Sequence, residues 1–130
     1  MIRGLHHVSL KCADRAVFER AKAFYCDVLG LRVYREWETG VLLDSGAGYV
    51  EIFSNGEGVT SIGAVRHMAF ACDDVDAAAA RVLAAGYEVF VEPKDVILPS
   101  VPPVHARVAF CRGALGEEIE LFDEKKEERV

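Results

Sequence analysis

A chain that carries one pattern twice must fold as two copies of one unit, and few architectures allow that at this length. His7-Val-Ser-Leu-Lys-Cys-Ala-Asp14 aligns with His67-Met-Ala-Phe-Ala-Cys-Asp-Asp74 at an offset of 60, with His, Cys and Asp coinciding. Gly30-Leu-Arg-Val33 aligns with Gly86-Tyr-Glu-Val89 at an offset of 56, and Tyr49-Val-Glu-Ile-Phe53 with Glu118-Ile-Glu-Leu-Phe122 at an offset of 69. A first helix about one turn longer, and a longer loop in the second half, account for the drift. Each copy has only about 60 residues, too few to bury a good core alone. Two modules, over 4–55 and 64–123, are therefore expected to make up one domain over 1–130.

Each half reads as strand, helix and three strands. In the first, Leu5 to Cys12 alternates as a strand, and Asp14 caps a helix whose apolar residues Val17, Ala21, Phe24, Tyr25 and Val28 keep helical spacing up to Gly30. Leu31 to Trp37, Val41 to Asp44 and Tyr49 to Ser54 follow as strands. In the second half the strand is Val65 to Cys72. Asp73 or Asp74 caps a helix with Val75, Ala78, Ala79, Val82 and Leu83 on one face, and Gly86 ends it. Tyr87 to Val91, Arg107 to Cys111 and Glu118 to Phe122 complete the set. Asn55 to Gly63 is the joint, and the charged tail Asp123 to Arg129 reads as a solvated end. Pro93 to His105, with three prolines beyond Pro93, reads as one long irregular stretch, either a binding loop or a surface excursion.

Strand alternation singles out four residues. His7, Ser9 and Lys11 share one face and His6, Val8, Leu10 and Cys12 the other, which makes His6 a helix-side residue near the strand start; His67, Ala69 and Ala71 oppose Met68, Phe70 and Cys72. The apolar face is expected to pack on the helix, which leaves the face with His7 and His67 to line a cavity. In the last strand of each half, Glu51 and Glu120 stand at equivalent positions between the core residues Val50, Ile52, Ile119 and Leu121. A lone strand His or Glu is most often solvent-facing or hydrogen-bonded. Here one His and one Glu recur with the duplication, and a carboxylate in mid-strand costs several kcal/mol to bury unpaired. A divalent metal held by His7, Glu51, His67 and Glu120 is the partner that fits. Imidazole and carboxylate ligands suit Zn, Ni or Co, and also Mn or Fe, without choosing among them.

Composition narrows the partners. The chain has 15 Lys+Arg against 21 Asp+Glu, a net charge of −6 spread along its length, which argues against nucleic acid or an anionic membrane. No apolar stretch reaches the roughly 18 residues of a spanning helix, and Met1-Ile-Arg-Gly4 lacks the apolar segment of a signal peptide. The four cysteines, Cys12, Cys26, Cys72 and Cys111, form no CxxC pair and read as reduced, mostly buried thiols of a cytoplasmic protein.

Leu5-His-His-Val-Ser-Leu10, Phe24-Tyr-Cys-Asp-Val-Leu-Gly-Leu31, Tyr49-Val-Glu-Ile-Phe53, Arg66-His-Met-Ala-Phe70 and Glu118-Ile-Glu-Leu-Phe122 together resemble the vicinal oxygen chelate superfamily, and within it the glyoxalase I (lactoylglutathione lyase) type. The resemblance implies an α+β fold of tandem βαβββ modules, a cupped, mixed and mostly antiparallel sheet around one divalent metal per site. It also implies a homodimer with sites between modules of different subunits, and a small-molecule substrate that is a thiol adduct. Its chemistry is proton abstraction next to a carbonyl, turning a hemithioacetal into a 2-hydroxyacyl thioester. By that analogy Glu120 is the base, Glu51 a second acid/base or permanent ligand, and His7 and His67 hold the metal. Lys11 and Asn55 stand where bacterial glyoxalases carry Arg and Asn on glutathione, and Lys keeps the charge without the bidentate fork. Phe53 and Phe122 flank the site, and Arg107 and Lys94, beside the Pro-rich stretch, are candidates to neutralise an acidic substrate. The Asp-Pro-Asp-Gly turn common before the last strand is replaced by Gly113-Ala-Leu-Gly116. Acyl-CoA epimerases, which usually carry Gln at the Glu51 position, dioxygenases, which use two His and one carboxylate, and metal-free drug-binding resistance modules are the alternatives.

Overall fold

Residues that alternate in polarity set the first strand, β1 (His7–Lys11), with His7, Ser9 and Lys11 exposed and Val8 and Leu10 half-buried. The computed structural model describes residues 1, 5–56, 66–99 and 102–125. Asp14 then accepts a hydrogen bond from the Val17 amide at 2.9 Å and starts α1 (Arg15–Ala23). The helix widens into a π turn over Phe24–Val28, where the Leu29 amide donates to the Phe24 carbonyl at 3.1 Å. A π turn adds one residue to the helical ring, and here two sequence neighbours, Phe24 and Tyr25, are both buried, at 1% and 0% exposure. After Gly30, at φ +82°, come β2 (Arg32–Trp37), β3 (Gly40–Asp44) and β4 (Tyr49–Phe53). The sheet order is β1-β4-β3-β2, with β1 parallel to β4 and the other neighbours antiparallel.

The second half repeats this. β5 (Met68–Ala71) leads to α2 (Val75–Ala84), capped by Asp74, which accepts from the Ala77 amide at 3.0 Å. Gly86, at φ +88°, closes the helix: its amide donates to Leu83 and that of Tyr87 to Val82. β6 (Val89–Leu98), β7 (Val104–Arg112) and β8 (Glu118–Lys125) then give the order β5-β8-β7-β6, again with one parallel pair, β5 with β8. Each half is thus a βαβββ unit with a mixed, mostly antiparallel sheet, and contacts divide the chain into compact units over Met1–Ser61 and Ile62–Val130. The nine residues of α1 and five of the π turn, against ten in α2, are the extra helical turn that the shifting offset predicts.

Cores lie on the helix side of each sheet. In the first unit α1 packs on β4, and Phe18, Ala21, Val41, Leu43, Val50 and Ile52 are each at most 2% exposed. In the second, Val75 and Ala79 pack with Ala109 and Leu121, flanked by Cys72, Ala78 and Val89. Burying each Val or Leu side chain stabilises by about 1.5–3 kcal/mol. Leu83 departs from the expected apolar face of α2 and is 58% exposed. The buried stripe runs through Val75, Ala79 and Val82, and Leu83 lies about 100° round from it.

The irregular stretch expected over Pro93 to His105 is mostly strand. β6 runs through Pro93 to Leu98 and pairs with β7 from Leu98↔Val104 to Val89↔Cys111, so the connection shrinks to 99–103. Proline is tolerated because β6 is the edge strand and its register slips between Val91 and Lys94, where a bulge frees the ladder from needing that N–H. The tail expected from Asp123 also begins as strand, with Asp123, Glu124 and Lys125 paired to Arg107, Ala106 and His105. Residues 57–63 of the joint and 126–129 of the tail lie outside the described residues.

One glycine is fixed by a close approach. A Cβ on Gly40 would lie 2.6 Å and 2.8 Å from Trp37 ring atoms and 3.0 Å from the Ile52 carbonyl oxygen. The indole therefore lies over Gly40, with its edge toward the Phe53 ring at a centroid distance of 5.8 Å. Gly40→Ala is expected to destabilise the fold by roughly 1–3 kcal/mol through overpacking. Trp37 is the single tryptophan, so the same variant should shift the emission maximum. Chemical denaturation followed by fluorescence measures both, and an unchanged spectrum would place the ring elsewhere.

Candidate metal centre

Register decides what faces what. β1 pairs with β4 so that Ser9 stands opposite Glu51 and His7 opposite Tyr49; β5 pairs with β8 so that Ala69 stands opposite Glu120. Side chains two residues apart on a strand share a face. His7 thus reaches diagonally to Glu51, with Nε2 3.7 Å from Oε1, and His67 to Glu120 at 3.6 Å. The two pairs are near-copies. Both imidazoles are 41% exposed, and the carboxylates are more enclosed, at 19% for Glu51 and 14% for Glu120.

Both separations are too long for a hydrogen bond. Two ligand atoms each about 2.1 Å from one ion lie about 3.0–3.4 Å apart, so a modest adjustment would let each pair share a cation. Burial pushes the Glu120 carboxyl above its usual range, with His67 pulling it partly back. A half-enclosed carboxylate held beside an imidazole is a donor set that suits a divalent metal. Among the described residues no three His, Cys, Asp or Glu side chains come together as a metal site within either unit. Each unit supplies a pair.

Around Glu51 the face is rich in rings and cations. Lys11 stands opposite Phe53, its Nζ 5.9 Å from the ring centroid, and the Arg35 guanidinium lies 6.0 Å from the Trp37 ring. Neither cation has a carboxylate partner among the described residues. Asn55 lies just past the end of β4 and is exposed. Trp37, Arg35 and Tyr34 were not singled out in the sequence. A register shift between Val33 and Arg35 breaks the alternation of β2, and Tyr34 packs on Tyr49 at 5.1 Å. The nearest signal was Thr39-Gly40, a turn whose glycine leaves room for an indole.

Around Glu120 the lining differs. Phe110 stands opposite Glu120 and its ring is edge-on to His67 at 5.6 Å, while Phe122 stands opposite Ala71. Arg112, opposite Glu118 and on the Glu120 face, lies 4.5 Å from the Phe90 ring. It is paired with Glu118 and Glu88, each at 3.3 Å. The expected strand end at Cys111 hid this residue. Arg107 is a correction. It alternates with Phe110 onto the opposite, helix-side face, where Asp76 of α2 holds Nη2 at 2.8 Å and Asp95 holds Nη1 at 3.1 Å. Those bonds push the guanidinium further up and Asp76 down. Arg107 staples helix to sheet and takes no part in the site.

The thiols are quiet. Cys12, Cys26, Cys72 and Cys111 form no disulfide, and burial raises Cys26, Cys72 and Cys111, the last to about 11.

The model of the Glyoxalase/Bleomycin resistance protein/Dioxygenase superfamily matches residues 4–100, and the chain belongs to that superfamily. Among its relatives, the uncharacterized protein YaeR of Escherichia coli (strain K12) is 36% identical over 94 residues, which is 62% of this chain and 70% of YaeR. The trypanothione-dependent glyoxalase I of Leishmania major superposes with a TM-score of 0.71 at 21% identity, over 94% of this chain and 87% of that one. Lactoylglutathione lyase from Agrobacterium tumefaciens superposes with a TM-score of 0.67 at 20% identity, over 95% of each chain. At these identities the two structures establish the fold. No helix among the described residues is long and apolar enough to cross a membrane.

Because Glu120 is raised in the folded chain, its ionisation opposes folding. Stability present below the unfolded carboxyl range is lost as pH rises through the folded value. Metal-free Glu120→Gln is therefore expected to be more stable than wild type at about pH 7, with the difference vanishing near pH 4. Urea midpoints at the two pH values test this; a Gln variant less stable at neutral pH would contradict it. Arg107→Ala should lower stability while leaving metal affinity unaltered, as isothermal titration would show.

Proposed function

We propose that the protein is a metal-dependent, glyoxalase I-like isomerase or lyase that moves a proton between carbons next to a carbonyl. The observation that carries this reading is the doubled His–Glu pair, 3.7 Å in one unit and 3.6 Å in the other. His7, Glu51, His67 and Glu120 would hold one divalent ion per site, with Ni, Zn or Co the first choices. A homodimer is the assembly proposed for it. Four cysteines that form no disulfide fit a reducing, cytoplasmic setting.

When bound, the cation supplies Lewis-acid polarisation of the substrate's adjacent oxygens. The protein's own contribution is acid–base work. Glu120 is the more enclosed carboxylate and is shifted toward higher basicity, so it takes the proton from carbon and returns it to the neighbouring carbon. Glu51 serves as ligand and second acid/base. The histidines hold position. Lys11 and Arg35, without carboxylate partners among the described residues, favour an anionic substrate, and Phe53 and Trp37 offer it an apolar wall. Asn55 and Phe122 complete the proposed contacts. A hemithioacetal of a 2-oxoaldehyde and an acidic thiol meets these demands, and two structural neighbours bear glyoxalase I or lactoylglutathione lyase names.

Protein loaded with Ni²⁺ or Zn²⁺ should retain one ion per site, and Glu51→Gln should release it. With methylglyoxal and glutathione, thioester absorbance should rise, and Glu120→Gln should lower kcat by about 10²–10⁴-fold. Wild-type protein that retains none of the five candidate metals would end the metalloenzyme reading. Metal retention without thioester from any of several thiols would end the glyoxalase one.

A further inference from the structure

His6 precedes β1, and its ring does not turn to the helix side, where strand alternation would send it. It packs on Tyr49 at a centroid distance of 5.1 Å, beside His7 on the Glu51 face. Its Nδ1 lies 2.9 Å from Nδ1 of His7, within hydrogen-bond distance. Tyr34 backs Tyr49 in turn, also at 5.1 Å, so two rings support the imidazole. One of the two Nδ1 atoms must donate and the other accept. The other nitrogen of His7, Nε2, is the atom that faces Glu51.

We propose that His6 is a positioning residue that accepts a hydrogen bond from His7 Nδ1–H and so holds the Nε2 lone pair of His7 toward Glu51. The alternative assignment, with His6 donating, would place the His7 proton on Nε2, between imidazole and carboxylate, and block a cation there. Metal-ligating histidines generally give their second N–H to an acceptor, which fixes the tautomer and raises ligand basicity. Among the described residues the second unit shows no counterpart to this bond. Arg66 occupies the position equivalent to His6, and among the described residues the His67 ring lies beside Glu120 and in a T-shaped pair with Phe110. The two His–Glu pairs therefore differ, with His7 oriented by a neighbouring ring and His67, among the described residues, by packing against Phe110. This inference extends the metal reading given above, but the hydrogen bond itself is independent of it.

Two measurements test it. In metal-free protein, at a pH where both imidazoles are neutral, long-range ¹H–¹⁵N correlation spectra should place the His7 proton on Nδ1. In His6→Ala it should move to Nε2. Nickel affinity by isothermal titration should fall about 10–100-fold in His6→Ala. His6→Asn, whose Oδ1 sits where Nδ1 was and can only accept, should recover most of the loss. A thermal melt of each variant keeps these effects apart from unfolding. The proposal is overturned if wild-type His7 carries its proton on Nε2, if His6→Ala binds nickel as tightly as wild type, or if His6→Asn is as weak as His6→Ala. Wild-type protein that binds no metal but shows the His6-dependent tautomer would uphold the hydrogen bond and sink the metalloenzyme reading instead.

Discussion

In each unit the first strand lies parallel to the last, and that pairing determines where every candidate ligand falls. Parallel neighbours cannot be joined by a tight turn, so the chain must cross over, and here a helix and two antiparallel strands fill the interval. The registers Ser9↔Glu51 and Ala69↔Glu120 then place each His on its Glu's face. A slip of one residue would carry His7 to the helix side and turn Val8 and Leu10 outward. Val50, Ile52, Ile119 and Leu121, at 0–3% exposure, resist such a slip, because moving them out of the core would forfeit their burial. The apolar residues of β4 and β8 thereby hold the polar ones between them at a separation that hydrogen bonding alone does not explain.

That arrangement has an electrostatic cost. Glu120 is enclosed enough for desolvation to raise it, and its imidazole neighbour offsets the effect only in part. Core packing imposes the strain; a bound cation would relieve it. Arg107 shows the contrasting case on the other face of the same sheet, where two aspartates neutralise a cation at the surface and nothing is left over for a ligand.

The duplication made most of this legible before any coordinates. Matching offsets located both helices, the cap at Asp14 and, as one of two candidates, the cap at Asp74, and the face shared by each His–Glu pair. What the sequence hid were departures from regular periods. The π turn at Phe24–Val28 breaks the 3.6-residue repeat, and the register shift beside Tyr34 breaks the two-residue repeat, so Arg35 and Trp37 could not be assigned to a face. Pro93 disguised an edge strand as a loop, since edge position and bulging are tertiary facts. Arg107 was misjudged for the same reason: its face follows from the extent of β7, which the prolines obscured. His6 lies outside the strand, where alternation no longer governs.

Duplication followed by divergence explains why the two faces are lined so differently. The first unit sets Lys11, Arg35, Trp37 and Phe53 beside its pair, cations without carboxylate partners among the described residues next to rings, and backs His7 with a second histidine. The second sets Ala69, Ala71 and Phe110 beside its pair, and the guanidinium of Arg112 is neutralised by Glu88 and Glu118. A positive field attracts and orients an anion; desolvation of the Glu120 carboxylate raises its basicity. On the proposed reading, the first unit is suited to recognition and the second to proton transfer. Glu51 and Glu120, equivalent by descent of the repeat, would then have parted roles through their surroundings, as two carboxylates in unlike environments do.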